Sequence, residues 1–157
     1  MLNFFVAGVL LICGAVGVRR AYTGAWASRL LATYGVTLIV AGIFRADPAQ
    51  GFPPGTPDGP MPISWHGYVH FAAGAVGFTA FIVACFVVAR HQSRAGERGQ
   101  AWFSRITGTL FLFGFIGLSS GSAGPSSLFF YFSVTLGWAW ITLLCYRLAA
   151  GTQVRAE

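Results

Sequence analysis

Two histidines spaced four residues apart are the strongest candidates for chemistry in this sequence. His66 and His70 follow a loop rich in proline and glycine, and on a helix they would share one face, about one turn apart. Two such imidazoles can bind a divalent metal such as zinc, and Asp47, at the start of the loop, can fold back as a third ligand. An open fourth position would then hold a metal-bound water, a hydrolytic nucleophile. The pattern raises a metal-dependent membrane hydrolase as one hypothesis.

A structural role fits the same two histidines. His66 would lie at the membrane interface with its side chain in water, while His70 would hydrogen-bond to a loop carbonyl or to a serine of another helix. No Glu-x-x-His pattern supports the metal site, and His91 lies at the other side of the predicted membrane. Haem is disfavoured, because residues one turn apart on one helix cannot reach opposite faces of a porphyrin. The structural role is therefore preferred, and the metal site stays a candidate.

The elements that must position these residues are apolar segments. Hydrophobic types make up 55% of the 157 residues and charged types 9%, against about 25% charged in an average soluble domain. This composition excludes an ordinary soluble enzyme, a disordered tail and a nucleic-acid-binding module. It predicts an integral membrane protein whose surroundings are the lipid bilayer. Backbone groups in lipid must be satisfied within their own segment, so the segments should be helices.

Five apolar stretches predict an all-α, polytopic transmembrane bundle of five helices in a single domain, residues 1–157. The predicted helices cover residues 2–18, 30–44, 65–89, 106–123 and 128–148, with an outer loop at 45–64. A membrane-spanning helix needs about 20 residues, so the first, second and fourth stretches require flanking residues to complete a crossing. Ser64 is the predicted N-cap of the third helix.

The basic residues are all arginine, and their distribution predicts how the chain is threaded. Nine lie at the first and third connections or near the C-terminus: Arg19, Arg20, Arg29, Arg90, Arg94, Arg98, Arg105, Arg147 and Arg155. Arg45 is the one arginine at the second connection, and the fourth has none. Because arginine is concentrated on the cytoplasmic side of membrane proteins, we expect a cell-membrane protein with its N-terminus outside and its C-terminus in the cytoplasm.

Polar and small residues within the predicted helices bear on transport and assembly. The notable polar residues well inside the helices are threonines, which usually bond to their own backbone: Thr33, Thr37, Thr79, Thr135 and Thr142. This disfavours a transporter or channel subunit. The small-residue pairs Gly117/Gly121 and Ala73/Gly77 fit close helix packing within one bundle, and the alternative is a face for a homodimer or a membrane protein partner.

The outer loop carries a motif that resembles a known family. The segments Phe-Arg-Ala-Asp-Pro, Gly-Phe-Pro-Pro-Gly and Trp-His-Gly-x-x-His follow one another between residues 44 and 70. The chain is similar in these segments to the bacterial membrane family catalogued as domain of unknown function 998. The motif residues are Phe44, Asp47, Pro48, Gly51, Phe52, Pro53, Pro54, Gly55, His66, Gly67 and His70. The resemblance implies a membrane fold and location, and it implies no reaction.

Members of that family usually carry one more helix before the helix with which this sequence starts. We therefore expect either that the start of the sequence is assigned too late or that this is a shortened member, and if a helix is missing, a site that it helps to build is incomplete. The leading hypothesis is a small polytopic membrane protein of undefined activity, with a polar site at its outer face formed by Asp47, His66 and His70. The alternatives are the metal-dependent hydrolase, a transporter subunit, and a structural or assembly partner in the membrane.

Overall fold

Five helices form the fold, as a computed structural model of the chain shows. The structure describes residues 2–22, 25–48, 53–57, 59, 61–120 and 124–154, and within these ranges it has no strand. The helices are α1 (Leu2–Ala21), α2 (Trp26–Ile43), α3 (Trp65–Arg94), α4 (Arg98–Ser119) and α5 (Pro125–Val154). Each is long and apolar enough to cross a membrane. The predicted all-α bundle of five helices is confirmed.

The helix bounds differ from the predicted ones mainly at the ends that carry arginine. α2 begins at Trp26 rather than at residue 30, and α4 begins at Arg98 rather than at residue 106. Apolar runs mark only the part of a helix that lies in lipid, whereas polar turns continue the backbone hydrogen bonds into the interface, where arginine side chains reach water. The predicted end of the fourth helix at 123 lies outside the described residues, and α4 ends at Ser119.

The helices are arranged as a nearly closed ring. Each helix packs against the next along the chain, and α1 makes a smaller contact with α5. Because successive helices run in opposite directions, their connections alternate between two ends of the bundle. The end with the α2–α3 connection, residues 44–64, is called the loop end below. The opposite end, with the α1–α2 and α3–α4 connections at residues 22–25 and 95–97, is called the arginine-rich end.

Glycines allow neighbouring helices to approach closely. A Cβ atom on Gly8 of α1 would lie 2.6 Å from the carbonyl oxygen of Gly35 in α2, so the two backbones are in direct contact. A Cβ on Gly77 of α3 would overlap the Thr37 side chain of α2. The Ala73/Gly77 pair therefore packs within the bundle. Gly117 lies near Ser126 of α5, while its predicted partner Gly121 is outside the described residues.

Aromatic side chains fill the centre of the ring. The ring centroids of Phe81 in α3 and Phe111 in α4 are 4.7 Å apart. Trp140 of α5 meets Phe81 edge to face at 5.6 Å, and Tyr34 of α2 lies 5.1 Å from the same ring. All four side chains are buried. Because four helices each contribute one large ring, this cluster fixes their mutual positions, and the two ends of the bundle are held relative to each other.

Candidate functional site

The first turn of α3 is held by two side chains. The Ser64 hydroxyl oxygen accepts a hydrogen bond from the Gly67 N–H at 3.2 Å, which confirms Ser64 as the N-cap. Asp47 folds back over the same turn, and its Oδ2 accepts the Ser64 N–H at 2.7 Å. A Cβ atom on Gly67 would overlap this carboxylate. The negative charge therefore lies at the N-terminus of α3, where the helix dipole stabilises it.

His70 bonds to the other side of the loop, at the end of α2. Its Nδ1 lies 3.0 Å from the carbonyl oxygen of Ala41 and 2.9 Å from that of Phe44. Carbonyl oxygens only accept hydrogen bonds, so Nδ1 carries the proton and donates to both. These carbonyls belong to the last turn of α2 and to its C-cap residue Phe44, where backbone carbonyls lack partners within the helix. The interpretation that His70 bonds to a backbone carbonyl is in line with this geometry.

His66 has different surroundings, although it is only one turn away. Its side chain is exposed, and its ring stacks on Trp65 with 3.6 Å between the centroids. His66 also lines an open cleft of about 680 Å³ at the loop end. The other lining residues are Ile43, Arg45, Ala46, Asp47, Pro48, Pro53 and Ser64. The cleft thus presents an imidazole, a guanidinium, a carboxylate and a hydroxyl beside apolar side chains.

The three predicted metal ligands are used in different ways. Asp47 accepts a backbone N–H of α3, and His70 donates to backbone carbonyls of α2. His66 and Asp47 both line the cleft, whereas His70 does not. Within the described part of the chain, no group of three or more His, Cys, Asp or Glu residues is placed to hold a metal ion.

These loop-end residues coincide with the motif on which the family resemblance rested. The family model described as a protein of unknown function (DUF998) matches residues 1–147. The chain belongs to this family. No curated protein and no solved structure matched the DUF998 chain.

Most of the DUF998 motif has a visible structural role in this chain. Phe44, Asp47, Gly67 and His70 together join the end of α2 to the start of α3. The Thr56 N–H donates to the carbonyl of Pro53 at 3.1 Å, and Gly55 has a φ of 94°. This is the geometry of a type II turn, which favours proline at its second position, here Pro54, and glycine at its third. Gly51 and Phe52 lie outside the described residues.

A second polar cluster lies at the arginine-rich end of this DUF998 protein, and the sequence analysis missed it. Ser104 of α4 donates to Gln92 Oε1 of α3 at 2.7 Å. Trp140 of α5 donates from Nε1 to the Ser104 hydroxyl oxygen at 2.8 Å. The Tyr22 side chain, just after α1, lies against the His91 ring of α3, with 5.1 Å between the ring centroids. Burial raises the pKa of Tyr22, and the nearby charge of Glu97 adds to the rise, so its hydroxyl is neutral.

The prediction that threonines are the only notable polar residues well inside the helices was wrong, because Ser133, within the predicted fifth helix, is fully buried. Gln92 is 4% exposed and Ser104 is fully buried, and both lie in helical turns beyond the predicted ends at residues 89 and 106. A tryptophan in a facing helix, whose N–H needs a partner, was the available signal. Several threonines do bond to their own helices as expected, as the contacts of Thr37, Thr135 and Thr142 show.

Proposed function

We propose that this DUF998 protein is a multi-pass protein of the cell membrane with its loop end outside and its C-terminus in the cytoplasm. The support is the arginine distribution: among the described residues, eight arginines lie at one end of the bundle and Arg45 at the other. Placing those eight in the cytoplasm follows the positive-inside rule. Trp26 and Trp102, both exposed near the arginine-rich end, and Trp65 near the loop end suit the two membrane interfaces.

On this proposal the loop-end cleft is a binding site for a small zwitterionic ligand at the outer membrane face. The observation that carries it is an open cleft whose lining includes both signs of charge, from Arg45 and Asp47, beside His66 and Ser64. Arg45 is exposed, and it forms no ion pair with any residue that the structure describes. A ligand with one anionic and one cationic group complements such a lining.

The residues around the cleft are held in place by hydrogen bonds within the protein, without a ligand. Asp47 is tied to α3 through the Ser64 N–H, and His70 ties α3 to the end of α2. These contacts hold the segment from Phe44 to Asp47 against α3, so that Arg45 and His66 line the same cleft. Preorganised groups lose little conformational freedom on binding, so the site can bind without a large rearrangement. Asp47 and His70 act here as positioning residues.

Tryptophan fluorescence provides the test, because Trp65 stacks on His66 and is 63% exposed. Purified protein in detergent is titrated with O-phosphoethanolamine, a zwitterion, with inorganic phosphate and ethanolamine as single-charge probes. We expect saturable quenching by the zwitterion, absent in Trp65→Phe. Arg45→Gln should weaken binding about tenfold or more, as loss of a charge-assisted hydrogen bond does.

Arg29→Gln is the matched control, because Arg29 is exposed at the arginine-rich end. It should bind like the native protein. Equal weakening in Arg29→Gln and Arg45→Gln would show that general surface charge, and not the cleft, attracts the probe. Quenching that is unchanged in Arg45→Gln and in His66→Ala would refute the ligand site.

Cysteine labelling tests the orientation separately. The background variant lacks Cys13 and Cys145, while Cys85 is buried and protected from reagent. Thr56→Cys reports on the loop end, and Ala95→Cys reports on the exposed turn between α3 and α4. An impermeant maleimide should label intact cells through position 56 and not through position 95. The reverse pattern would invert the proposed orientation.

The metal-dependent hydrolase is a second candidate, supported by which nitrogen of the His70 ring carries the proton. Because Nδ1 of His70 donates to carbonyls, Nε2 is the nitrogen available to a metal, a common arrangement for metal-binding histidines. Elemental analysis beside a His66→Ala/His70→Ala double variant tests it: about one zinc per chain, lost in the variant, would support the hydrolase, and no zinc in either protein would count against it. The transporter and assembly-partner alternatives stay predictions.

A further inference from the structure

A second concave surface lies at the arginine-rich end, between the start of α4 and the last turns of α5. It is an open cleft of about 460 Å³ whose lining includes Arg98, Phe103, Leu143 and Arg147. We propose that this cleft binds an anionic phospholipid, with the headgroup phosphate on the two arginines and the start of an acyl chain on Phe103 and Leu143. The inference is independent of the loop-end ligand and concerns the opposite end of the bundle.

The charge of the cleft is positive. With the Gln100 amide oriented so that both neighbours are satisfied, its oxygen accepts from Arg147 and its nitrogen donates to Glu97 Oε2 at 3.0 Å. The amide thus separates the guanidinium from the carboxylate, and no direct ion pair of Arg98 or Arg147 occurs among the described residues. Glu97 is the single acid at this end within the described ranges, against eight arginines. An arginine guanidinium is well shaped to bind phosphate oxygens in pairs.

The polar and apolar parts of the lining are separated along the membrane normal. Leu143 lies one turn before Arg147 on the same face of α5, about 6 Å deeper into the membrane at 1.5 Å per residue. Phe103 lies five residues after Arg98, which is about 7.5 Å along α4. This order, arginine at the surface and apolar side chains below, matches the order of phosphate and acyl chain in a lipid. A free phosphate would leave the apolar half uncovered.

Little empty space adjoins the cleft on the side of α3. A small pocket of about 20 Å³ shares Gln100, Phe103, Leu143 and Arg147 with the cleft lining. This volume holds about one water molecule and no lipid group. The same pocket reaches the hydrogen-bonded pair Ser104 and Trp140, which joins α4 to α5. That bond fixes the spacing of the two helices, so the cleft between them keeps its width. Basic pockets of this kind between membrane helices are suited to anionic headgroups.

Native mass spectrometry of the full-length protein in detergent tests the proposal. Phosphatidylglycerol and phosphatidylcholine of equal chain length are added in turn, with inorganic phosphate as a third probe. We expect one phosphatidylglycerol to bind in preference to phosphatidylcholine. Arg98→Gln/Arg147→Gln should weaken that binding about thirtyfold, because each arginine near a membrane surface contributes a factor of about five toward anionic lipid. The matched control is Arg19→Gln/Arg20→Gln, which removes two exposed arginines on α1.

A second variant covers the case in which loss of both arginines disturbs folding. Leu143→Trp keeps every charge and fills the apolar half of the cleft, and Leu143 is exposed, so the bundle should accept it. It should also weaken phosphatidylglycerol binding, while thermal unfolding stays close to native. Equal loss in the α1 control would show non-specific charge attraction and overturn the proposal. Saturable binding of inorganic phosphate alone, without lipid preference, would also overturn it.

Discussion

The two ends of this protein are joined by different kinds of hydrogen bond. At the loop end, Asp47 and His70 bond to backbone groups and connect α2 with α3, which follow each other in the chain. At the arginine-rich end, hydrogen bonds from Gln92 through Ser104 to Trp140 connect α3, α4 and α5. The first set is local and leaves an open cleft, while the second is buried and joins three helices.

The loop-end contacts shape a cleft, whereas the buried contacts at the arginine-rich end hold helices together. Side chains of the loop end lie partly in water, so a lost contact there is partly replaced by solvent. Ser104 and Gln92 are buried, so a lost contact there leaves unsatisfied polar atoms, which is costly. We therefore expect loss of a buried contact at the arginine-rich end to lower the free energy of unfolding most, and loss of a loop-end contact to lower it less.

The largest effect is expected from Ser104→Ala. It leaves the Trp140 N–H and the Gln92 amide oxygen without their common partner, and should lower the free energy of unfolding by about 2–4 kcal/mol. Unfolding in mixed detergent–SDS micelles measures it. Ser119→Ala is the control, because its exposed hydroxyl bonds to its own helix, and it should stay within about 0.5 kcal/mol of native. A similar small loss for Ser104→Ala would contradict the importance of the buried chain.

Gly67→Ala is the next largest. The new Cβ would overlap the Asp47 carboxylate and displace it from the Ser64 N–H, with an expected loss of about 1.5–3 kcal/mol. Gly99→Ala adds the same methyl to the exposed first turn of α4, where nothing lies within 4 Å, and it should be neutral or slightly stabilising.

A double-mutant cycle with Asp47→Ala sharpens this prediction. If the overlap is the cause, Gly67→Ala should cost much less in the Asp47→Ala background, since the obstructing carboxylate is gone. Strictly additive losses would show that Gly67 is needed for a reason other than its contact with Asp47.

His70→Phe should have an intermediate effect. It keeps an aromatic ring and removes the donor shared by the Ala41 and Phe44 carbonyls, so a loss of about 1–2 kcal/mol is expected. The same change at His66, which is exposed on the same helix, should cost less. Hydrogen exchange at the end of α2 should rise in His70→Phe. Equal losses at both positions would contradict the distinction between them.

The smallest effect on stability is expected from His66→Ala, within about 0.5 kcal/mol of native, because the side chain is exposed. The same variant should bind O-phosphoethanolamine more weakly in the fluorescence titration. Native stability together with weakened binding would show that His66 contributes to ligand binding and not to holding the loop. A large loss of stability would instead place His66 with Asp47 and His70 among the residues that hold the loop.

The class of fold and the location of the loop end can be predicted from the order of residues alone. Five apolar stretches separated by arginine and proline have few solutions other than membrane helices, because lipid cannot satisfy backbone polar groups. The Ser64 cap was also predictable, since capping depends on residues within one turn. The resemblance of residues 44–70 to the family pattern located the segment that joins α2 to α3.

The contacts of the polar residues, by contrast, depend on how separate helices pack. His66 and His70 share a helix and a spacing, yet one lines an open cleft and the other bonds to α2, because the approach of a second helix determines the partner. Ser104 and Trp140 are 36 residues apart, and no local pattern joins them. Spacing along the chain determines which residues share a helix face, whereas the packing of separate helices determines which polar groups become buried together.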